Sequence, residues 1–123
     1  MIDHMSLQVR DPRAVGAFYD AVLAPLGGSR VREFGPVVGY GVGDRPTFWI
    51  GPAGADGAPR ETHVAFTAAD RAAVVAFHEA ATAAGAETLH APALHPEYHA
   101  CYFAAFVRDP EGNNVEAVCH LPD

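Results

Sequence analysis

Three residues of this 123-residue chain combine the types and positions needed to hold a metal ion: His4, His63 and Glu116. Two imidazoles and one carboxylate leave further coordination positions open. That donor set suits Fe(II) oxygen chemistry as a facial triad, or Mn, Zn, Ni or Co acting as a Lewis acid. A single histidine on a strand is more often a hydrogen-bonded surface residue than a ligand. Here the grouping matters, because strand parity places all three on comparable faces.

The segment Asp3 to Arg10 alternates strictly, with Met5, Leu7 and Val9 on one face and His4, Ser6 and Gln8 on the other. Thr62-His63-Val64-Ala65-Phe66-Thr67 echoes it, with Val64 and Phe66 inward and His63 on the opposite side. In the final strand, expected over Asn114 to His120, Val115, Ala117 and Cys119 form the buried face and Glu116 the other. If the sheets curl into a common cup, the three candidate ligands point into it.

The elements between them repeat. After the first strand, Asp11-Pro12 caps and opens a helix carrying Val15, Phe18, Tyr19, Val22, Leu23 and Leu26, which Gly27-Gly28 stops. Strand-like runs follow at 29–34, 37–42 and 47–50, divided by Gly35-Pro36 and Gly43-Asp44-Arg45-Pro46. Residues 52–60, rich in Gly, Pro and Ala, read as a linker. The pattern then restarts: a strand at His63, a helix from Asp70 to near Gly85 with Val74, Phe77 and Ala81, and strands near 87–90, 101–107 and 114–120. His4 and His63 stand 59 positions apart, and so do Phe18 and Phe77. Two copies of β-α-β-β-β, at about 1–51 and 61–123, make an α+β domain with an open, cup-shaped half-barrel.

Composition excludes several partners. The net charge is −7, there is no lysine, and the eight arginines are scattered, so a nucleic-acid surface is not expected. No apolar run approaches the roughly 18 residues of a membrane span. No signal peptide is seen at the start, and Cys101 and Cys119 form neither a disulfide framework nor a Cys-x-x-Cys pair. A reduced cytoplasmic setting is the default expectation.

Asp3-His4, Phe18-Tyr19, Thr62-His63-Val64-Ala65-Phe66 and the stretch from Phe106 to Glu116 together resemble the vicinal-oxygen-chelate superfamily of glyoxalases, bleomycin resistance proteins and extradiol dioxygenases. The most specific element is the Asp109-Pro110-Glu111-Gly112-Asn113-Asn114-Val115-Glu116 turn and strand. The resemblance implies two βαβββ modules around one divalent metal held by His4, His63 and Glu116, a small-molecule substrate that chelates the ion through adjacent oxygens, and a homodimer. The metal would be Fe, Mn, Zn, Ni or Co. Glyoxalase I enzymes add a fourth ligand on the last strand of the first module, where this chain has Thr47-Phe48-Trp49-Ile50. Fosfomycin-resistance enzymes need cations around a phosphonate, and no basic residue follows Arg108. The competing class is a non-catalytic protein that sequesters an aromatic or drug-like ligand, as bleomycin resistance proteins do.

The stretch from Pro92 to Tyr102 packs His95, Glu97, Tyr98, His99 and Tyr102 into a loop at the expected cup mouth. His99 and Tyr98 are the candidates for moving a proton beside the metal. Trp49, His95 and Tyr102 are candidates for binding substrate, Trp49 standing where a fourth ligand would otherwise lie. His78, His90 and His120 read as surface or strand-end residues, and Cys119 as buried and unreactive.

Overall fold

The computed structural model describes residues 1–54 and 60–123. The chain forms two four-stranded mixed sheets, each backed by a helix. The first contains β1 (Met5–Val9), β2 (Ser29–Phe34), β3 (Val37–Gly41) and β4 (Phe48–Pro52), in the order β1-β4-β3-β2. The second contains β5 (His63–Thr67), β6 (Thr88–Leu94), β7 (Phe103–Arg108) and β8 (Asn114–Cys119), in the order β5-β8-β7-β6. In both sheets the strand opening the module pairs parallel with the strand closing it, and the other pairings are antiparallel. Of the expected linker, residues 55–59 lie outside the described residues, and Pro52 belongs to β4.

Helix α1 (Pro12–Leu23) buries Val15, Phe18, Tyr19, Val22 and Leu23, an apolar stripe at helical spacing. Helix α2 (Arg71–Ala83) buries Val74, Phe77 and Ala81. Aspartates cap both: the Ala14 amide donates to Asp11 at 3.0 Å and the Ala73 amide to Asp70 at 2.7 Å. Each such cap contributes about 1 kcal/mol. The two helices and the inner faces of both sheets share one core, in which Phe48 of β4 meets Phe66 of β5 edge to face. Strand parity holds as the alternation requires. Leu7, Val9, Val64, Val115, Ala117 and Cys119 enter this core, whereas Ala104, Phe106 and Val118 form a separate cluster on the far side of the second sheet.

Several strand ends differ from expectation by a residue or two, and β1 and β6 differ in ways that bear on the site. β1 begins at Met5, so His4 precedes the strand rather than sitting within it. β6 runs on to Leu94 through Pro92 instead of stopping near His90. A proline lacks the amide that a central strand would use, but β6 is the sheet's edge and its pairing with β7 is broken by register shifts on either side of His90.

The turn from Asp109 to Asn114 ties the modules together. The buried Asp109 carboxylate accepts the amides of Glu111 and Asn113, both at 2.9 Å, and the Asn113 side-chain amide at 2.8 Å. It also accepts the hydroxyl of Tyr19, from α1 of the other module, at 2.9 Å. Asn113 Oδ1 accepts the Thr62 amide at 2.9 Å, which fixes the entry to β5. Gly112 takes a left-handed conformation with φ +86°, which a side chain would strain. Burial, and then the Asp109 charge, push the Tyr19 phenol well above its ordinary range.

Candidate functional site

Glu116 is a carboxylate only 2% exposed, in the middle of β8. Its Cα partners are Ala65 on β5 and Phe106 on β7. His63, two residues before Ala65, lies on the same face and reaches diagonally across the strand pair. Its Nε2 stands 3.0 Å from Glu116 Oε2. The second carboxylate oxygen, Oε1, accepts the hydroxyl of Tyr102. Burial of the ring, then the bond to Glu116 and its charge, push the Tyr102 phenol up to about 12, so it remains a donor throughout the neutral range. His63, Glu116, Tyr98, Tyr102, Phe106 and Asn114 line a depression of about 390 Å³ on the outer face of the second sheet.

His4 lies elsewhere. It lines a separate depression of about 340 Å³ on the first sheet with Ser6, Val37, Pro46 and Trp49. Its Nδ1 is 2.8 Å from Asp3 Oδ1, and Asp3 also pairs with Arg45. The bonds to His4 and Arg45 hold the Asp3 carboxyl below its usual range. Among the described residues, no group of three or more His, Cys, Asp or Glu side chains comes together to hold a metal ion within one chain. The single chain therefore unites two of the three expected ligands.

The loop residues divide as well. Tyr102 contacts Glu116 directly, and Tyr98 lines the same depression. His95 stands behind them, with its ring stacked on Tyr98 and edge-on to Tyr102 and Phe106. His99 turns the other way: its Nε2 lies 2.8 Å from His120 Nδ1. The Cys101 amide donates to His99 Nδ1, which puts the His99 proton on Nε2 and makes His120 the acceptor. Reading His120 as a frayed end missed this pairing, and no spacing in the sequence signals it. Trp49 lies on the open face of the first sheet, its ring stacked with Phe34. His78 Nε2 bonds Thr88 at 2.9 Å, and Cys119 is buried.

Comparison with known proteins shows what the chain is similar to. The chain matches a glyoxalase/bleomycin resistance protein from Albidiferax ferrireducens at 27% identity and TM-score 0.81, over 94% of this chain and 96% of that one. A lactoylglutathione lyase from Agrobacterium tumefaciens matches at 24% identity and TM-score 0.70, over 96% and 92%. A fosfomycin resistance protein from Mesorhizobium loti matches at 17% identity and TM-score 0.67, over 96% and 90%. The latter two likenesses speak for the fold alone. No curated protein matches the chain. The family model that matches, over residues 1–117, makes the chain a member of the Glyoxalase/Bleomycin resistance protein/Dioxygenase superfamily.

Proposed function

We propose that the protein is a divalent-metal-dependent enzyme acting on a small substrate with two adjacent oxygens, and that each site is completed by two copies of the chain. The observation that carries this reading is the buried Glu116 carboxylate, whose Oε2 stands 3.0 Å from Nε2 of the half-exposed His63. Two donors bound to one ion at about 2.1 Å and at right angles would stand about 3 Å apart, so the pair fits a transition metal. In this reading His4, on the outer face of the first sheet, reaches the ion from a second copy. Isologous pairing of two chains brings the face of one module against that of the other twice, which forms two equivalent sites.

A metal bound there supplies Lewis acidity to the substrate's adjacent oxygens, or with iron also a position for dioxygen. The protein's own residues do the rest. Tyr102 holds one oxygen of Glu116 and leaves the other directed toward His63, an outer contact that fixes the carboxylate's orientation. Tyr98, Tyr102 and Phe106 line the depression with aromatic rings. Tyr98, which lines this depression, is the proton carrier in this reading; His99 is held by His120. The aromatic wall also favours the second reading, a sequestering protein for an aromatic ligand.

Metal analysis of protein purified without a tag or chelator tests the reading. Near-stoichiometric metal, lost in His4→Ala, His63→Ala and Glu116→Ala, is expected. Iron would select oxygen chemistry; zinc, nickel, cobalt or manganese would select lyase, isomerase or transferase chemistry. Mixing unfolded His4→Ala and His63→Ala chains and refolding them together should restore about a quarter of the sites, since a mixed dimer keeps one intact site of two. No restoration would overturn the shared site, and a chain that stays metal-free with every ion would leave the sequestering reading.

A further inference from the structure

Three buried side-chain polar atoms of the described residues have no hydrogen-bond partner: Arg71 Nε, His95 Nε2 and Asn114 Oδ1. Of the residues that carry them, only Asn114 lines the Glu116 depression. A buried carbonyl without a donor is rare enough in folded proteins to call for an explanation. Because this one is covered, its donor has to come from a side chain already packed beside it.

Asn114 opens β8 between two neighbours, His63 on β5 and Arg108 on β7, which are its Cα partners. Side chains paired in this way point to one face of the sheet, on strands about 4.8 Å apart. Arg108 is committed to Glu61 at 2.6 Å and to the Gly112 carbonyl at 2.7 Å. Tyr102 is committed to Glu116, and Tyr98 belongs to the exposed loop rather than to a paired strand. His63 is the neighbour with a nitrogen to spare. Its Nε2 stands 3.0 Å from Glu116 Oε2, which leaves Nδ1 for the strand partner.

The geometry points to Asn114 as a positioning residue for His63, its Oδ1 receiving the proton of Nδ1 when Nε2 serves as a metal donor. A neutral imidazole carries one proton. If Nε2 lends its lone pair to an ion, that proton sits on Nδ1, and histidine ligands are almost always held there by an acceptor. The bond fixes the rotation of the ring and keeps Nε2 trained on the space beside Glu116 Oε2. The stacking of His63 on Phe106, at 6.2 Å between ring centres, limits the tilt of the ring but does not choose which nitrogen bears the proton. Asn114 thus does for His63 what Tyr102 does for Glu116. This rests on the reading of His63 and Glu116 as metal donors.

The test uses the full-length protein, isotope-labelled for nitrogen NMR and titrated with zinc, with affinity read by competition against a chromogenic chelator. Zinc added to wild type should bring up a His63 Nδ1–H signal that exchanges slowly with water. Asn114→Leu, close in size but without an acceptor, should lose that signal and bind zinc about 10- to 100-fold more weakly. Asn114→Asp, which keeps an acceptor, should restore the signal and most of the affinity. Metal-free Asn114→Leu should melt no lower than wild type, because the atom it loses has no partner, and this separates positioning from support of the fold. Zinc affinity of Asn114→Leu within about threefold of wild type, a slow signal that survives in it, or metal-free melting lowered by more than about 4 °C would each overturn the inference and leave the metal reading standing. A wild-type chain that takes no zinc would remove both.

Discussion

The outer faces of the two sheets are built on one plan and carry opposite chemistry. In the second sheet His63 opens β5, and two residues later Ala65 pairs with Glu116, which pairs in turn with Phe106. In the first, His4 precedes β1, and two residues later Ser6 pairs with Trp49, which pairs in turn with Gly39. Trp49 thus occupies the place of Glu116, and Gly39 the place of Phe106. Volume is exchanged between neighbouring strands: a large ring beside a carboxylate in one sheet, a larger ring over a glycine in the other. A Cβ on Gly39 would stand 2.7 Å from the Trp49 ring. One histidine accordingly finds a buried carboxylate, and its counterpart an apolar surface with a surface aspartate beside it. A repeat preserves backbone positions, and single substitutions decide which copy holds a charge.

Removing the charge should have the largest effect. Glu116→Ala is expected to weaken metal binding by more than about 100-fold, beyond the usual cost of an outer contact, as measured by competition with a chromogenic chelator. Metal affinity within tenfold of wild type would mean that the Glu116 carboxylate is not what distinguishes the two faces.

Adding volume to the other face should cost less. Gly39→Ala drives a methyl group into the indole of Trp49 and is expected to destabilise the fold by about 1–3 kcal/mol in urea. The same change in a Trp49→Leu background should be nearly neutral. Equal cost in both backgrounds would place the strain elsewhere.

The smallest effect is expected where the modules are tied together. Tyr19→Phe removes one of four donors to Asp109 and should cost about 1 kcal/mol. It should also alter the response to alkali. Because the folded protein holds the Tyr19 proton more tightly than the unfolded chain does, its contribution is complete below about pH 10 and is lost as pH rises beyond that. Tyr19→Phe should therefore lose stability less steeply above pH 10 than wild type. Identical slopes would show that Tyr40 and Tyr102, also shifted upward, dominate that limb.

Much of the candidate site was legible before the fold. Alternation assigned Glu116 and His63 to one face, because side-chain direction in a strand follows parity and a buried face fixes the register. The Asp109 turn was equally legible, since its residues bond to one another over a few positions. Residues 95–102 were not. Their types marked a reactive loop, but nothing local separates Tyr102, which bonds Glu116, from His99, which bonds His120 beyond the end of β8.

The sequence alone determined the repeat, the strand faces and the placing of His63 and Glu116 away from the core, because those depend on geometry that repeats along the chain. Tertiary structure alone decided that His4 lies apart from them, that Tyr102 rather than His99 meets the carboxylate, and that β6 runs on through Pro92 at the sheet edge. Those outcomes depend on how separate elements dock, and docking reflects the summed shape of the core rather than the periodicity of any one segment.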